Sequence, residues 1–158
     1  MVRAFNSLLT QWEPSLQILR WDWQGSITNS SFRAAFEHLV HYSRQQHVKR
    51  WLADVSNLPL VGIDEQGWLS EHWLPRFATL HIREVALVLP VSLHNQLVVE
   101  SILADGRRHS RADIQFFSDV PAALDWLTNA NETLVEHLQQ EWQRRLQTVQ
   151  LNQADQPA

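Results

Sequence analysis

Residues 48–77 read VKRWLADVSNLPLVGIDEQGWLSEHWLPRF. The apolar run Trp51-Leu52-Ala53 enters a turn-forming stretch, Asp54-Val55-Ser56-Asn57. A short connection leads to a helix-like stretch that begins near Asp64. Strand, connection and helix in that order form the repeating unit of an α/β sheet. Asp64 or a neighbour is expected to cap the helix, because a short polar side chain there accepts from the free N–H groups. Trp68, Leu69 and Trp73 offer apolar contacts. Pro75 lacks an N–H and crowds the preceding turn, so the helix is expected to kink or restart there.

Working outward, residues 1–24 read as β. Phe5, Leu8, Leu9 and Trp12 precede a turn at Glu13-Pro14-Ser15, and a second run covers Leu16 to Trp23. Leu19, Trp21 and Trp23 share one face by the period-two rule, with Leu16 and Ile18 on the other. Two such runs predict a hairpin, ended at Gly25. Thr28-Asn29-Ser30-Ser31 supplies N-caps, and Phe32, Ala35, Phe36, Leu39 and Val40 then form one helical stripe.

Downstream, Val85 to Leu89 is a continuous apolar run closed by Pro90, which suits a strand covered on both faces. Ser92 caps a helix expected to turn Leu93, Leu97, Val98 and Ile102 inward and to end at Asp105-Gly106. Ile114, Phe116 and Phe117 mark a last strand. Asp119 then caps a short helix carrying Pro121 in its first turn, with Trp126 and Leu127 along it. Asn129-Ala130-Asn131 breaks the pattern. A final helix over residues 132–150 carries the stripe Leu134, Leu138, Trp142, Leu146 and Val149. The order β-β-α-β-α-β-α-β-α-α predicts an α/β fold with a mixed, mostly parallel sheet flanked by helices. Residues 1–130 form the domain, 131–150 an added amphipathic helix, and 151–158 a polar tail expected to be disordered.

Composition narrows the function. A chain of 158 residues suits one domain with a substantial core. A net charge of −4 argues against non-specific nucleic-acid binding. Arg107-Arg108-His109-Ser110-Arg111 reads as a solvated loop. With no cysteine, disulfides, thiolate nucleophiles and Cys-based zinc sites are excluded together. His38 and His41 stand three apart on a helix, but no third ligand is near in sequence, and no metal or organic cofactor is expected. No apolar run approaches the roughly 20 residues of a membrane span. Arg3, Asn6 and Gln11 interrupt any signal-peptide core, so a cytoplasmic protein is expected. Eight tryptophans are unusual, and Trp51 and Trp126 are expected in the core.

Several short motifs recur in a telling order. They are Trp23-Gln24-Gly25, Phe32-Arg33-Ala34-Ala35, Trp51-Leu52-Ala53-Asp54 and Arg83-Glu84-Val85-Ala86, then Phe117, Asp119, Ala123, Trp126 and Leu127. This arrangement resembles the STAS domain, the fold of bacterial anti-sigma-factor antagonists, and more specifically small bacterial STAS-like proteins of unknown function. The resemblance covers residues 15–128. It implies a protein-interaction or regulatory module, related in architecture to lipid-binding CRAL-TRIO domains. Phosphoswitch members of the family carry Asp-Ser-Ser-Gly at the start of the helix after the central strand. Here the matching stretch is Asp64-Glu65-Gln66-Gly67, with Glu65 where the phosphoacceptor would stand. A carboxylate has part of a phosphate's charge but not its three oxygens. A kinase switch at this position is therefore not expected.

The residues themselves carry no enzyme signature. There is no Gly-rich phosphate loop and no Gly-x-Ser-x-Gly elbow. Asp54 and Asp64 near strand ends could do acid–base work, although capping explains both. Trp68, His72 and Trp73 could line a pocket or simply pack. The candidate ligand or partner surface is therefore Asp54, Ser56, Asp64, Glu65, Trp68, His72 and Trp73. Two functions follow: a non-catalytic interaction module, or a carrier or sensor of a small apolar ligand. The stripe on the last helix adds an expectation of a homodimer anchored by Trp142.

Overall fold

A computed structural model describes residues 1–25 and 28–154. Three strands open the chain: β1 (Val2–Phe5), β2 (Leu8–Glu13) and β3 (Ile18–Trp23). The sequence suggested two, because the tight turn at Asn6-Ser7 carries no Gly or Pro. Asn6 takes φ 52°, a left-handed conformation that Asn tolerates better than most residues. It lets Phe5 pair directly with Leu8. The chain continues through α1 (Asn29–Gln45), β4 (Arg50–Asp54), α2 (Ile63–Trp68), a π-helical turn (Leu69–Trp73) and α3 (Leu74–Phe77). It ends with β5 (Glu84–Val88), α4 (Leu93–Gly106), β6 (Asp113–Phe117), α5 (Val120–Leu127) and α6 (Glu132–Ala154).

The six strands lie in sequence order, β1-β2-β3-β4-β5-β6. β1, β2 and β3 pair antiparallel, and β3 through β6 pair parallel. The sheet is thus mixed and mostly parallel, as expected. When consecutive parallel strands are neighbours, crossovers of one hand put every connecting helix on one face. Accordingly α1, α2, α3 and α4 cover the face that carries Trp21, Trp51, Ala53, Val85 and Leu87. α5 and α6 come after the last strand and cover the other face, packing on Ile18, Leu52, Ala86 and Val88.

The restart expected at Pro75 takes a specific form. The chain is helical from Ile63 to Phe77, but the turn before the proline widens, and the Leu74 N–H reaches back to the Leu69 carbonyl. Pro75 has no N–H for the carbonyl four residues earlier, and a π turn absorbs that defect without breaking the helix.

Several expectations are corrected. Gly62, not Asp64, is the N-cap of α2, and no side chain caps it. Leu93 and Leu97 point outward, while Asn95 takes the buried position on α4. Trp126 is only half-buried, against Phe117, and Leu124 fills the core beside it. α6 extends four residues beyond 150, so residues 151–154 of the expected tail are helical. Residues 155–158 of that tail lie outside the described residues.

Candidate functional site

Two places at the sheet collect unusual chemistry, one on each face. The first is a cavity of about 100 Å³ under the cross-over helices. Trp21, Trp51 and Ala53 form its floor, and Leu69, Trp73 and Val99 stand among its walls. No polar atom is exposed on that wall. The π turn contributes here, because Leu69 and Trp73 are its first and last residues. Wide turns of this kind recur at functional sites.

The aromatic rings fix the cavity's shape. Trp73 donates its indole N–H to the Phe36 carbonyl at 2.8 Å, and Trp51 donates to the Ser43 hydroxyl at 2.9 Å. Trp21 stands edge-on to Trp51 and to Phe36, with ring centroids 5.7 and 5.8 Å apart. The buried Trp21 N–H has no hydrogen-bond partner among the described residues. Edge-on neighbours are where an N–H can point at a π face.

The second place is a polar cluster on the opposite face, at the carboxyl ends of β3 and β4. Asp22 and Asp54 are register partners on adjacent parallel strands, so their side chains emerge side by side. Arg20 emerges one pleat earlier on the same face. All three are buried. Asp22 accepts from its neighbour's backbone, Trp23 N–H, at 2.7 Å and from Gln24 Nε2 at 2.7 Å. Asn57 Nδ2 approaches both Asp22 oxygens, at 3.3 and 3.4 Å. Asp54 accepts from the Ser56 hydroxyl at 2.6 Å and from the Ser56 N–H at 3.1 Å.

Burial, and next the charge of Asp54, push the Asp22 carboxyl up to about 7. Burial likewise lowers Arg20 to about 10, against the pull of Asp54 and Asp22, and it stays a cation at neutral pH. Its guanidinium lies 3.8 Å over the Trp142 ring and donates to Gln139 Oε1 at 2.7 Å. Gln11 on β2 donates to the Leu138 carbonyl at 2.8 Å and to Glu141 at 2.9 Å. α6 is thereby fastened to the sheet by polar groups as well as by Leu138.

The residues singled out from the sequence are dispersed by the fold. Asp54 and Ser56 bond each other on the α6 side. Asp64 is exposed in the first turn of α2. Glu65 is buried and paired with Arg33 through two contacts, at 3.0 and 3.3 Å. Arg33 also lies 5.5 Å over the half-buried Trp68. His72 is exposed, and Trp73 alone of the set lines the cavity. Asp54 and Asp64 do not come together; the carboxylate beside Asp54 is Asp22. Arg20 and Asp22 were missed because alternation places them on a face without saying which strand lies alongside. Among the described residues no three His, Cys, Asp or Glu side chains cluster as metal ligands would.

The dimer helix changes meaning too. Leu138 and Trp142 are buried inside their own chain, and Leu134, Leu146 and Val149 are half-buried. Trp142 is 2% exposed, which leaves it no surface to offer a second copy. Among the described residues no helix is long and apolar enough to cross a membrane. No family model, curated protein or solved structure matches this chain.

Proposed function

We propose that the chain is a non-catalytic, STAS-like binding module whose ligand is a small apolar molecule held between the sheet and its cross-over helices. The cavity with no exposed polar atom carries this reading. Protein interiors are packed as tightly as organic crystals and hold few voids larger than a water. The walls around about 100 Å³ of apolar space lack contacts that a fitting ligand would supply. Water gains little there, because it would find no polar partner. The volume also bounds the ligand. Pockets for drug-sized molecules run to roughly 300–1,000 Å³, whereas a dry cavity of about 150 Å³ engineered in another protein takes benzene or xenon. The ligand class is therefore a small ring or short branched chain rather than a whole lipid.

The test is methyl-resolved NMR of the intact chain during titration with benzene, and separately under xenon pressure. Saturable shifts confined to Leu69, Val99 and the other lining methyls are expected. Ala53→Leu, which places bulk on the cavity floor, should abolish them. Absence of any saturable shift up to the solubility limit of benzene, together with none under xenon, would overturn the proposal.

A further inference from the structure

The outward turn of Leu93 and Leu97 creates a surface that the cavity does not explain. Leu60, Ile63, Val91, Leu93 and Leu97 are 58–90% exposed. They belong to two segments that the fold fastens together. The buried Asn95 side chain donates to the carbonyls of Leu58 and Pro59 at 3.0 and 3.1 Å and accepts from the Val61 N–H at 3.2 Å. The His94 ring bonds the Val61 carbonyl at 3.0 Å. Further along, Gln66 on α2 donates to the Ser101 hydroxyl on α4 at 3.2 Å. Ile63 stands one turn before Gln66, and Leu97 one turn before Ser101, so the two apolar side chains flank one groove. The groove is held by hydrogen bonds rather than by the exposed side chains themselves.

The charge around the groove selects the occupant. Residues 55–75 and 88–106 contain no Lys and no Arg, and Asp64 and Glu100 are exposed on α2 and α4. Arg33, which reaches α2 from α1, pairs with Glu65 and also lies in the field of Asp64, so of the two rim carboxylates Glu100 is the one whose charge Arg33 does not offset. Arg107 follows α4 at its far end. An apolar centre with an acidic rim complements an amphipathic helix whose own rim is basic. An anionic bilayer is disfavoured, since surface binding to such lipids draws on Lys and Arg clusters. A second copy is disfavoured too, because a two-fold contact sets the same acidic rim against itself.

We propose that the groove between α2 and α4, with Leu60, Ile63 and Leu97 at its centre, docks a basic amphipathic helix of a protein partner. This inference is independent of the cavity ligand. The probe is a fluorescein-labelled amphipathic peptide with leucines on one face and lysines on the other, titrated with the full chain and read by anisotropy. Saturable micromolar binding is expected. The double variant Ile63→Ser with Leu97→Ser should weaken it about tenfold or more, as loss of central apolar anchors does. Both positions are exposed, and an unchanged melting curve will show that the variant is folded. A matched peptide with glutamates for lysines should bind about tenfold more weakly or worse, and Asp64→Lys with Glu100→Lys should reverse that preference. The proposal is overturned if the lysine peptide does not bind, or if the double variant binds it as tightly as the native chain. It is equally overturned if both peptides bind alike, if vesicles of phosphatidylcholine and phosphatidylglycerol take up the chain through Ile63 and Leu97, or if the groove instead mediates self-association on sedimentation.

Discussion

The two faces of the sheet are covered by helices in opposite ways. Beneath α1, α2, α3 and α4 the face is aromatic: Trp21, Trp51, Phe36, Trp73 and Phe77 meet ring to ring, and a cavity remains among them. The face beneath α5 and α6 carries Gln11 and Arg20, which bond α6, and Asp22 and Asp54, which bond the residues that follow β3 and β4, all four buried. Large flat rings bury much area but fill space unevenly, so a face built from them can be stable and still leave a void. Hydrogen bonds under a helix fix relative positions, so that face admits fewer arrangements, even though the buried Arg20 Nε has no partner among the described residues. One face is thus stable without full packing, and the other fixes position.

The largest effect is expected from removing a ring. Trp51 contacts Trp21, Trp73 and Phe77 and donates to buried Ser43. Trp51→Ala should cost about 3–5 kcal/mol in denaturant unfolding. The half-buried Trp126 serves as the control, and Trp126→Ala should cost less than half as much. Equal losses would mean that the aromatic face is no more decisive than the rim of the sheet.

The polar face is tested by pH. Asp22 holds its proton to about pH 7 in the folded chain, whereas an unfolded aspartate releases it near 4. Between those values the folded state binds more protons than the unfolded state. This group's contribution to stability is therefore fully present at or below about pH 4, declines as pH rises, and is gone above about pH 7. The decline should be on the order of 2–4 kcal/mol. Asp22→Asn cannot titrate and should flatten that part of the stability curve. A variant with the same slope as the native chain would place the titration elsewhere.

The two faces also differed in how well the sequence announced them. Leu19, Trp21 and Trp23, and the stripe from Phe32 to Val40, declare an apolar face by period alone, and all lie where the period puts them except Trp23's partners, which needed the register. Arg20 and Asp22 alternate with those tryptophans, and the same rule assigns them the opposite face. What it cannot say is that Asp54 lies alongside Asp22, or that a helix more than a hundred residues away closes over Arg20. α4 misled for a related reason. Its leucines look inward by composition, yet Asn95 is buried because the carbonyls of Leu58 and Pro59 need a donor. A buried polar requirement set by another segment overrode local hydrophobicity. The cavity had no local signature, since a void is a property of many side chains together.

The smallest effect expected is also the most direct measure of how loosely the aromatic face is packed. Gly106 is the last residue of α4 and lines the cavity. A β-carbon built there meets only the two terminal carbons of Leu74, at 3.4 and 3.7 Å. Its backbone is not left-handed, so alanine is conformationally suited to the position. In a fully packed interior an added methyl forces its neighbours off their rotamers and costs stability. Here Leu74 itself borders the cavity and has space to turn. The helical preference of alanine over glycine should then appear undiminished, and Gly106→Ala should stabilise the chain by about 0.5–1 kcal/mol. A loss of stability instead would mean that Leu74 is held as firmly as any core residue. The cavity would then be a rigid mould, selecting its ligand by shape rather than adapting to it.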